Sequence, residues 1–456
     1  MRLPVMLFFV GAAVFAAFAG GRLKIHSDDN HFVYLADAFL QGKVELTRQP
    51  HHQNDWASYD VLQLKGASAE QYGEQVKGFF THRSGKPNQF RTLAGDEIDI
   101  PRRDRGASER RYFVSFPPMP AVLMMPFVAA VGYGANDVLF TVLFAGLNVM
   151  LIFLWLERLR DLGHSQRSTR ENLWLTVFFA FGSAHLWCAV LGQVWFTALI
   201  VGVTFNLLYL YFAVDARRPL LAGLCLAAAF STRASLLFAA VFFYLQLFFP
   251  NDGERRSTRD LINRFVAFST PCVLVGVALL LYNHARFDRL TEFGHLYLAN
   301  GTLPRIRDFG LFHPNFLARN LTAAFTLTPR ITPDAPYVEI SRHGMSLLLT
   351  SPALALVLWP VRRVPLARAL GISALVIAVP IFFYQNTGWE QFGFRFSLDF
   401  LPYLTGCLAL GGRPLTRWVQ AAIIAGVLVN AFGAVTFKRG GMGKLYGNFM
   451  TEEPTR

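Results

Sequence analysis

Two adjacent carboxylates, Asp28 and Asp29, follow the first apolar stretch of the chain and are the residues best placed to do chemistry. Apolar side chains then recur at helical spacing, at Phe32, Leu35, Ala36, Phe39 and Leu40. This pattern predicts an amphipathic helix lying on a membrane, with Gly42 as its C-terminal cap. Asp28 stands one turn before Phe32 on the same face, so we expect its carboxylate to point toward the membrane core. Removal from water raises the proton affinity of a carboxylate and suits it to general-base work.

A structural role is the alternative for the same segment. Ser27 or Asp28 could be the N-cap of the helix, with its side-chain oxygen accepting hydrogen bonds from unsatisfied backbone N–H groups. Spacing alone favours this cap, and what favours catalysis is a family resemblance described below.

The composition of the chain indicates a membrane protein. Of its 456 residues, 53% are hydrophobic and 16% charged, and the mean hydropathy is +0.34, which is too apolar for an ordinary soluble enzyme. The net charge of +13 is expected from arginines on cytoplasmic loops rather than from nucleic-acid binding. The cysteines lie in apolar stretches without metal-site spacing, which predicts packing roles for Cys188, Cys225, Cys272 and Cys407.

Eleven apolar stretches are candidate membrane spans, because a helical crossing needs roughly 20 apolar residues. They lie near 3–21, 138–156, 172–190, 195–213, 219–232, 234–250, 265–283, 345–361, 367–384, 397–412 and 415–435. The first could instead be a cleaved signal peptide, and we expect it to be retained. Arginines cluster in four short loops, at Arg158, Arg160, Arg167, Arg170, Arg255, Arg256, Arg259, Arg264, Arg362, Arg363, Arg368, Arg413 and Arg417. Placing these loops in the cytoplasm puts the N-terminus inside and the C-terminus outside.

Two large loops then lie on the outer side, at 22–137 and 284–344, within a single all-α integral membrane domain spanning 1–456. The apolar segment Met119–Val131 is too short to cross, so we expect a juxtamembrane helix in the outer interface. Residues 65–111 are rich in glycine and charge and carry the turn signal Gly85-Lys86-Pro87-Asn88. They predict an irregular, partly mobile insertion, or else a lid over substrate.

The segment Asp28-Asp29-Asn30-His31-Phe32, with Ala36, resembles the Asp-Glu-x-x-aromatic-x-x-x-Ala signature of the GT-C superfamily of polyprenyl-phosphate-sugar-dependent membrane glycosyltransferases. This superfamily includes protein O-mannosyltransferases and lipid A aminoarabinose transferases. The resemblance implies a GT-C-like fold with Asp28 as catalytic base. Asp29 stands where the family has Glu, and the resemblance implies that it is the acidic partner of Asp28. Phe116-Pro117-Pro118-Met119-Pro120 is similar to the family's Pro-Pro motif, which opens a juxtamembrane helix.

Two further motifs supply cations. Phe230-Ser231-Thr232-Arg233 resembles the family's Thr-Lys/Arg motif, and Phe394-Arg395-Phe396, with Asp399 and Pro402, resembles its Arg-aromatic segment. The resemblance implies that Arg233 and Arg395 bind the donor phosphate, and a guanidinium offers paired donors suited to that group. The alternatives are snorkelling of Arg233 to lipid headgroups and pairing of Arg395 with Glu390 or Asp399.

The resemblance implies an inverting glycosyltransferase of the inner (plasma) membrane, with its site facing the periplasm or exterior. It further implies a polyprenyl-phosphate sugar as donor, and we expect the acceptor to be a hydroxyl of a glycan, lipid or protein. Further substrate-binding candidates are His31, Tyr34 and Glu390.

No metal ligand is assigned, although a divalent metal is possible. His51, His52 and Asp55 are more typical of a surface loop, and His185 and Gln193 stand where some relatives have an acid. The rival interpretation is a transporter or flippase, which usually has ionisable groups deep within spans and repeated halves. A third is a non-catalytic scaffold, in which the Asp28 arrangement would have no purpose.

Overall fold

The structure is a computed structural model that describes residues 2–81, 87–251, 253, 256–298 and 303–450. It divides into two compact units. The first unit comprises Met1–Asn30, Asn136–Val275 and Leu311–Arg456, and the second comprises His31–Ala135 and Gly276–Gly310. Arg255, Gly85 and Lys86 lie outside the described residues, whereas Pro87 and Asn88 form a turn as expected.

The described part of the chain is mainly helical. In chain order the α-helices are α1 (Arg2–Ala19), α2 (His31–Leu40), α3 (Gly66–Tyr72), α4 (Met119–Val131), α5 (Asp137–Asp161), α6 (Thr169–Phe181), α7 (His185–Ala189), α8 (Gln193–Ala213), α9 (Pro219–Phe230), α10 (Ala240–Phe248), α11 (Thr258–Phe287), α12 (Leu303–Phe309), α13 (Leu317–Leu321), α14 (Leu347–Thr350), α15 (Pro365–Phe382), α16 (Leu401–Leu410) and α17 (Arg417–Thr436). The strands are β1 (Trp56–Leu64), β2 (Gln75–Phe80), β3 (Gln89–Thr92), β4 (Glu97–Asp99), β5 (Arg105–Val114), β6 (Arg330–Ile331), β7 (Val338–Ser341) and β8 (Tyr446–Gly447).

Six helical segments of the described chain are long and apolar enough to cross a membrane. They are Arg2–Lys24, Asp137–Asp161, Gln193–Ala216, Thr258–Phe287, Pro365–Phe382 and Arg417–Thr436. The other five expected spans coincide with shorter helices, so eleven crossing helices are not confirmed. Local breaks explain two of these five: the stretch 172–190 is interrupted near Gly182 between α6 and α7, and 345–361 contains Pro352, which starts a separate 3₁₀ helix after α14. Apolar composition alone does not show where a helix is interrupted.

The arginine-rich loops meet at one end of the first unit. Arg167 donates through Nη2 to the carbonyl of Leu408 at 3.0 Å, and Arg362 N donates to Gly411 O at 2.9 Å. At the opposite end of α17, Arg22 Nη2 donates to Lys438 O at 2.5 Å, which joins the segment after α1 to the segment after α17. Loops that the charge pattern assigns to one side of the membrane therefore lie together. That this side is cytoplasmic remains a prediction.

The second unit contains an antiparallel sheet in the order β4-β3-β2-β1-β5. The expectations of an all-α chain and of irregular structure over 65–111 are therefore wrong. Successive side chains of β1 alternate between two faces. One face packs Tyr59 and Val61 with Phe113 and Phe287, and the other packs Leu62 with Val76 and Phe90. The many charged residues of the outer strands hide this alternation in the sequence.

Two predicted elements of the first outer loop are present in the second unit. The apolar segment after Pro118 is helix α4 with the bounds expected, Met119–Val131, and Pro120 lies in its first turn, where proline is tolerated. Gly42 follows α2 with a φ of +69°, a left-handed conformation typical of a C-terminal cap. The orientation of α4 along a membrane surface remains a prediction. The second outer loop, 284–344, contains α12, α13 and the β6–β7 pair.

The grouping of loops predicts which residues an impermeant thiol reagent reaches. Single cysteines at exposed Gln166 and Val361 should be labelled only from the cytoplasmic side, and cysteines at exposed Lys24 and Gly440 only from the outer side. The native cysteines are buried or half-buried, so the unmodified chain is the control. Labelling of Gln166→Cys from outside would reverse the topology, and labelling of both pairs from one side would contradict the fold of the first unit.

Candidate functional site

Asp28 and Asp29 form a turn before α2, not its first residues, since the helix begins at His31. Asp28 is exposed and Asp29 is 6% exposed, so the expectation that Asp28 shares the face of Phe32 and is withdrawn from water is wrong. Short polar side chains compete with the backbone for hydrogen bonds, which favours a turn over helix at such a run. The prediction that α2 is amphipathic is also wrong, because seven of its ten residues are buried.

A carboxylate that sequence reasoning missed, Asp137, fixes this turn. Asp137 is 2% exposed. It accepts hydrogen bonds at Oδ1 from Ser27 N at 2.8 Å and at Oδ2 from Ser27 Oγ at 2.5 Å and Gln193 N at 2.9 Å. Hydrogen bonds to an ionised acceptor are stronger than neutral ones. The side chain of Ser27 is therefore committed to Asp137, and the chain leaving α1 is joined to the starts of α5 and α8.

Gly192 permits this approach of α8 to Asp137. Its φ is +62°, and a Cβ at this position would lie 3.1 Å from Asp137 Oδ2 and 2.8 Å from Val138 Cγ2. A side chain here would therefore meet both backbone strain and a steric clash. A glycine directly before an apolar stretch can be recognised in the sequence. Its contact with Asp137, 55 residues earlier, cannot.

Asp29 is held by the start of α8. Gln193 Nε2 donates to Asp29 Oδ2 at 2.8 Å, and Val194 N donates to Asp29 O at 2.9 Å. Gln193 Oε1 in turn accepts a hydrogen bond from Lys438 Nζ at 3.2 Å. Gln193 thus connects the buried acid to a cation that sequence reasoning also missed. The available signal was a basic pair, Lys438-Arg439, directly after the last span on the predicted outer side, where the positive-inside rule does not expect it.

Lys438 begins a row of three cations separated by aromatic rings, which we call the cation row. Lys438 Nζ lies 5.9 Å from the centre of the Phe196 ring, and Arg395 Cζ lies 5.2 Å from the same ring. Arg395 and Arg233 each place Cζ 5.4 Å from the centre of the Phe396 ring. Cations over aromatic faces are stabilised without being neutralised.

The pKa of the Lys438 ammonium is lowered. Burial is the main cause, and nearby Arg395 and Arg22 lower it further, while the carboxylates of Glu390 and Asp29 act in the opposite direction. An anion placed beside Lys438 would favour its charged form.

The arginines of the cation row differ in their partners. Arg233 forms a two-point ion pair with Asp399, with Nε to Oδ1 at 2.6 Å and Nη2 to Oδ2 at 2.8 Å. The pairing of Asp399 with Arg395, one structural alternative, is therefore wrong. The carboxylate of Glu390, the other alternative, pairs with Arg342 at 2.7 Å, and its backbone carbonyl accepts a hydrogen bond from Arg395 Nη1 at 3.4 Å. Glu390 thus positions Arg395 through its backbone.

His31 and Tyr34 belong to an aromatic cluster of the second unit. The His31 ring stacks on Trp56 with a centroid distance of 3.7 Å, and its Nε2 is 3.0 Å from Asn54 O. Tyr34 OH is 2.9 Å from His51 Nε2. Both side chains are buried, so their contacts are those of core residues, and a role in binding substrate remains a prediction.

The described parts of the chain contain no group of three or more His, Cys, Asp or Glu side chains arranged to hold a metal ion. Within the loop weighed as a metal site, His52 Nδ1 accepts a hydrogen bond from Asn54 N at 3.2 Å.

Comparisons with known proteins leave the family open. No family model and no curated protein matches the sequence. The fold is similar to the crystal structure of the Archaeoglobus fulgidus oligosaccharyltransferase in the apo form, with a TM-score of 0.47 and 11% sequence identity. The match covers 95% of this chain and 56% of the other, so this chain spans about half the length of that protein.

Replacing Asp137 should loosen the turn. Asp137→Asn exchanges one acceptor oxygen for a donor, so at least one of the three N–H and O–H groups loses its partner. We expect a loss of about 1–3 kcal/mol in the free energy of unfolding. The matched control is Asp260→Asn, which removes a partly exposed ion pair with Arg264 and should cost about 0–1 kcal/mol. Thermal unfolding of the purified protein in detergent checks this, and equal losses in both variants would contradict the role of Asp137.

Proposed function

We propose that the chain transfers a sugar from a polyprenyl-phosphate carrier to an acceptor hydroxyl on the outer face of the membrane, with inversion. The observation that carries the proposal is an exposed carboxylate, Asp28, on a turn connected to the cation row through Asp29, Gln193 and Lys438. A base and a group of phosphate-binding cations are the two requirements of this reaction. The GT-C resemblance at Asp28 supplies the donor class.

The structure supports different work for the two acids. Asp29 is buried and accepts a hydrogen bond from Gln193, so its carboxylate serves to position the turn. Asp28 is exposed, so a substrate can reach it. Asp28 therefore remains the proposed base because it is accessible to substrate, not because it is buried as the sequence suggested.

The reaction is a direct displacement. The acceptor oxygen attacks the anomeric carbon while Asp28 takes the hydroxyl proton. The bond from that carbon to the phosphate oxygen breaks, and its electron pair leaves with the lipid phosphate. Attack opposite the leaving group inverts the anomeric centre, and cations stabilise the negative charge that develops on the phosphate.

Among the cations, we propose Arg395 and Lys438 as the main phosphate ligands. The Nε and Nη2 groups of Arg233 donate to Asp399, which largely neutralises it in this arrangement. Binding of phosphate by Arg233 requires that Asp399 share or release the guanidinium. Arg395 is 4% exposed and touches two aromatic rings, so an anion beside it is shielded from water and strongly attracted.

Transfer of labelled sugar from a polyprenyl-phosphate donor, measured with purified protein in proteoliposomes, tests the proposal. Asp28→Asn should lower turnover by about 10²–10⁴, because it removes the base and preserves side-chain size. Asp29→Asn is the matched control, and should lose stability more than turnover per folded molecule. Near-normal transfer by Asp28→Asn would exclude Asp28 as the base. Movement of the labelled lipid across the bilayer without transfer would favour the flippase.

A further inference from the structure

At the arginine-rich end of the first unit, a groove lies between α6, α16, α17 and the 3₁₀ segment after α14. The groove is narrow and partly open to the surroundings. Two arginines line it, Arg167 and Arg413, and most of the remaining wall is apolar, including Leu356, Leu408, Leu415 and Val419. A wall of this kind suits a ligand with one anionic and one apolar part.

The two arginines are held in place by backbone carbonyls. Arg167 is 5% exposed and donates to Leu408 O and Ala409 O at the end of α16, and through Nη1 to Glu171 at 2.8 Å. Arg413 is exposed and donates its Nε–H to Trp359 O at 2.6 Å. This contact uses the Nε of Arg413. A phosphate would bind its two terminal nitrogens, Nη1 and Nη2, whose spacing suits two phosphate oxygens.

The surrounding loops carry excess positive charge. The sequence has no Asp or Glu between Glu339 and Glu390 or between Asp399 and Glu452, and these intervals contain Arg362, Arg363, Arg368, Arg413 and Arg417. Glu171 pairs with Arg167 at 2.8 Å, so part of the charge of Arg167 is neutralised. An anion bound here therefore meets little repulsion.

The exposed aromatic and aliphatic side chains at this end are typical of a surface at the level of lipid headgroups. Trp418 is 86% exposed and Trp359 is 60% exposed, and Leu358 and Val361 are also largely exposed. Tryptophan is enriched at the boundary between headgroups and acyl chains. Arginine-rich loops are expected on the cytoplasmic side, whose leaflet contains anionic lipids.

We propose that this groove binds one anionic glycerophospholipid, with its phosphate at Arg413 and the first part of an acyl chain along Leu415 and Val419. The apolar wall distinguishes a lipid from inorganic phosphate, which needs only the cation. The site is independent of sugar transfer, so its failure leaves the proposed function untouched, and the reverse also holds.

The test is native mass spectrometry of the full-length protein in detergent, titrated with phosphatidylglycerol or phosphatidylcholine. The wild type should retain one phosphatidylglycerol more tightly than phosphatidylcholine. Arg413→Gln should weaken that binding by about tenfold or more, as expected for a lost charged hydrogen bond, and Arg413→Lys should retain part of it. The matched control is Arg259→Gln, an exposed arginine outside the groove, which should leave binding unchanged.

Each contrary result overturns the proposal. Equal retention of the two lipids would remove the anionic selectivity, and equal loss in Arg413→Gln and Arg259→Gln would show only general attraction to basic loops. Displacement of the lipid by inorganic phosphate, with no dependence on acyl-chain length, would show a phosphate site without a role for the apolar wall.

Discussion

The carboxylate of Asp137 is the contact on which the geometry of the candidate site depends. It receives hydrogen bonds from Ser27 N, Ser27 Oγ and Gln193 N. A buried carboxylate needs such donors, because its charge is costly away from water. The same contacts fix where the chain leaves α1 and where α8 begins, with Gly192 providing the close approach. The Asp28–Asp29 turn and the link from Asp29 to Lys438 follow from that placement.

The two ends of the first unit use cations differently. At the arginine-rich end, Arg167 donates to backbone carbonyls, and His164 Nε2 lies 2.9 Å from Asp215 Oδ1. These contacts satisfy polar groups at helix ends and tie loops together. In the cation row, Lys438 and Arg395 lie against aromatic rings, which stabilise a cation without neutralising it. These contacts support the proposed binding of phosphate.

Sequence patterns predicted the features that depend on local composition. The bounds of α4, the capping conformation of Gly42 and the grouping of arginine loops follow from proline, glycine and charge signals. The start of α2 was missed because a polar run can be turn or helix. The sheet was missed because β3 and β4 are short and much of β5 is charged. Gln193 and Lys438 acquire their roles from partners 164 and 245 residues away, and no local pattern encodes such distances.

The most direct test of the account is an experimental structure with a non-reactive polyprenyl-phosphate sugar analogue bound. We predict that the phosphate lies within hydrogen-bond distance of Arg395 and Lys438, and that the carboxylate of Asp28 faces the anomeric carbon from the side opposite the phosphate. Asp29 should keep its hydrogen bond to Gln193. A phosphate bound away from both cations, or on the same side of the sugar as Asp28, would contradict the account.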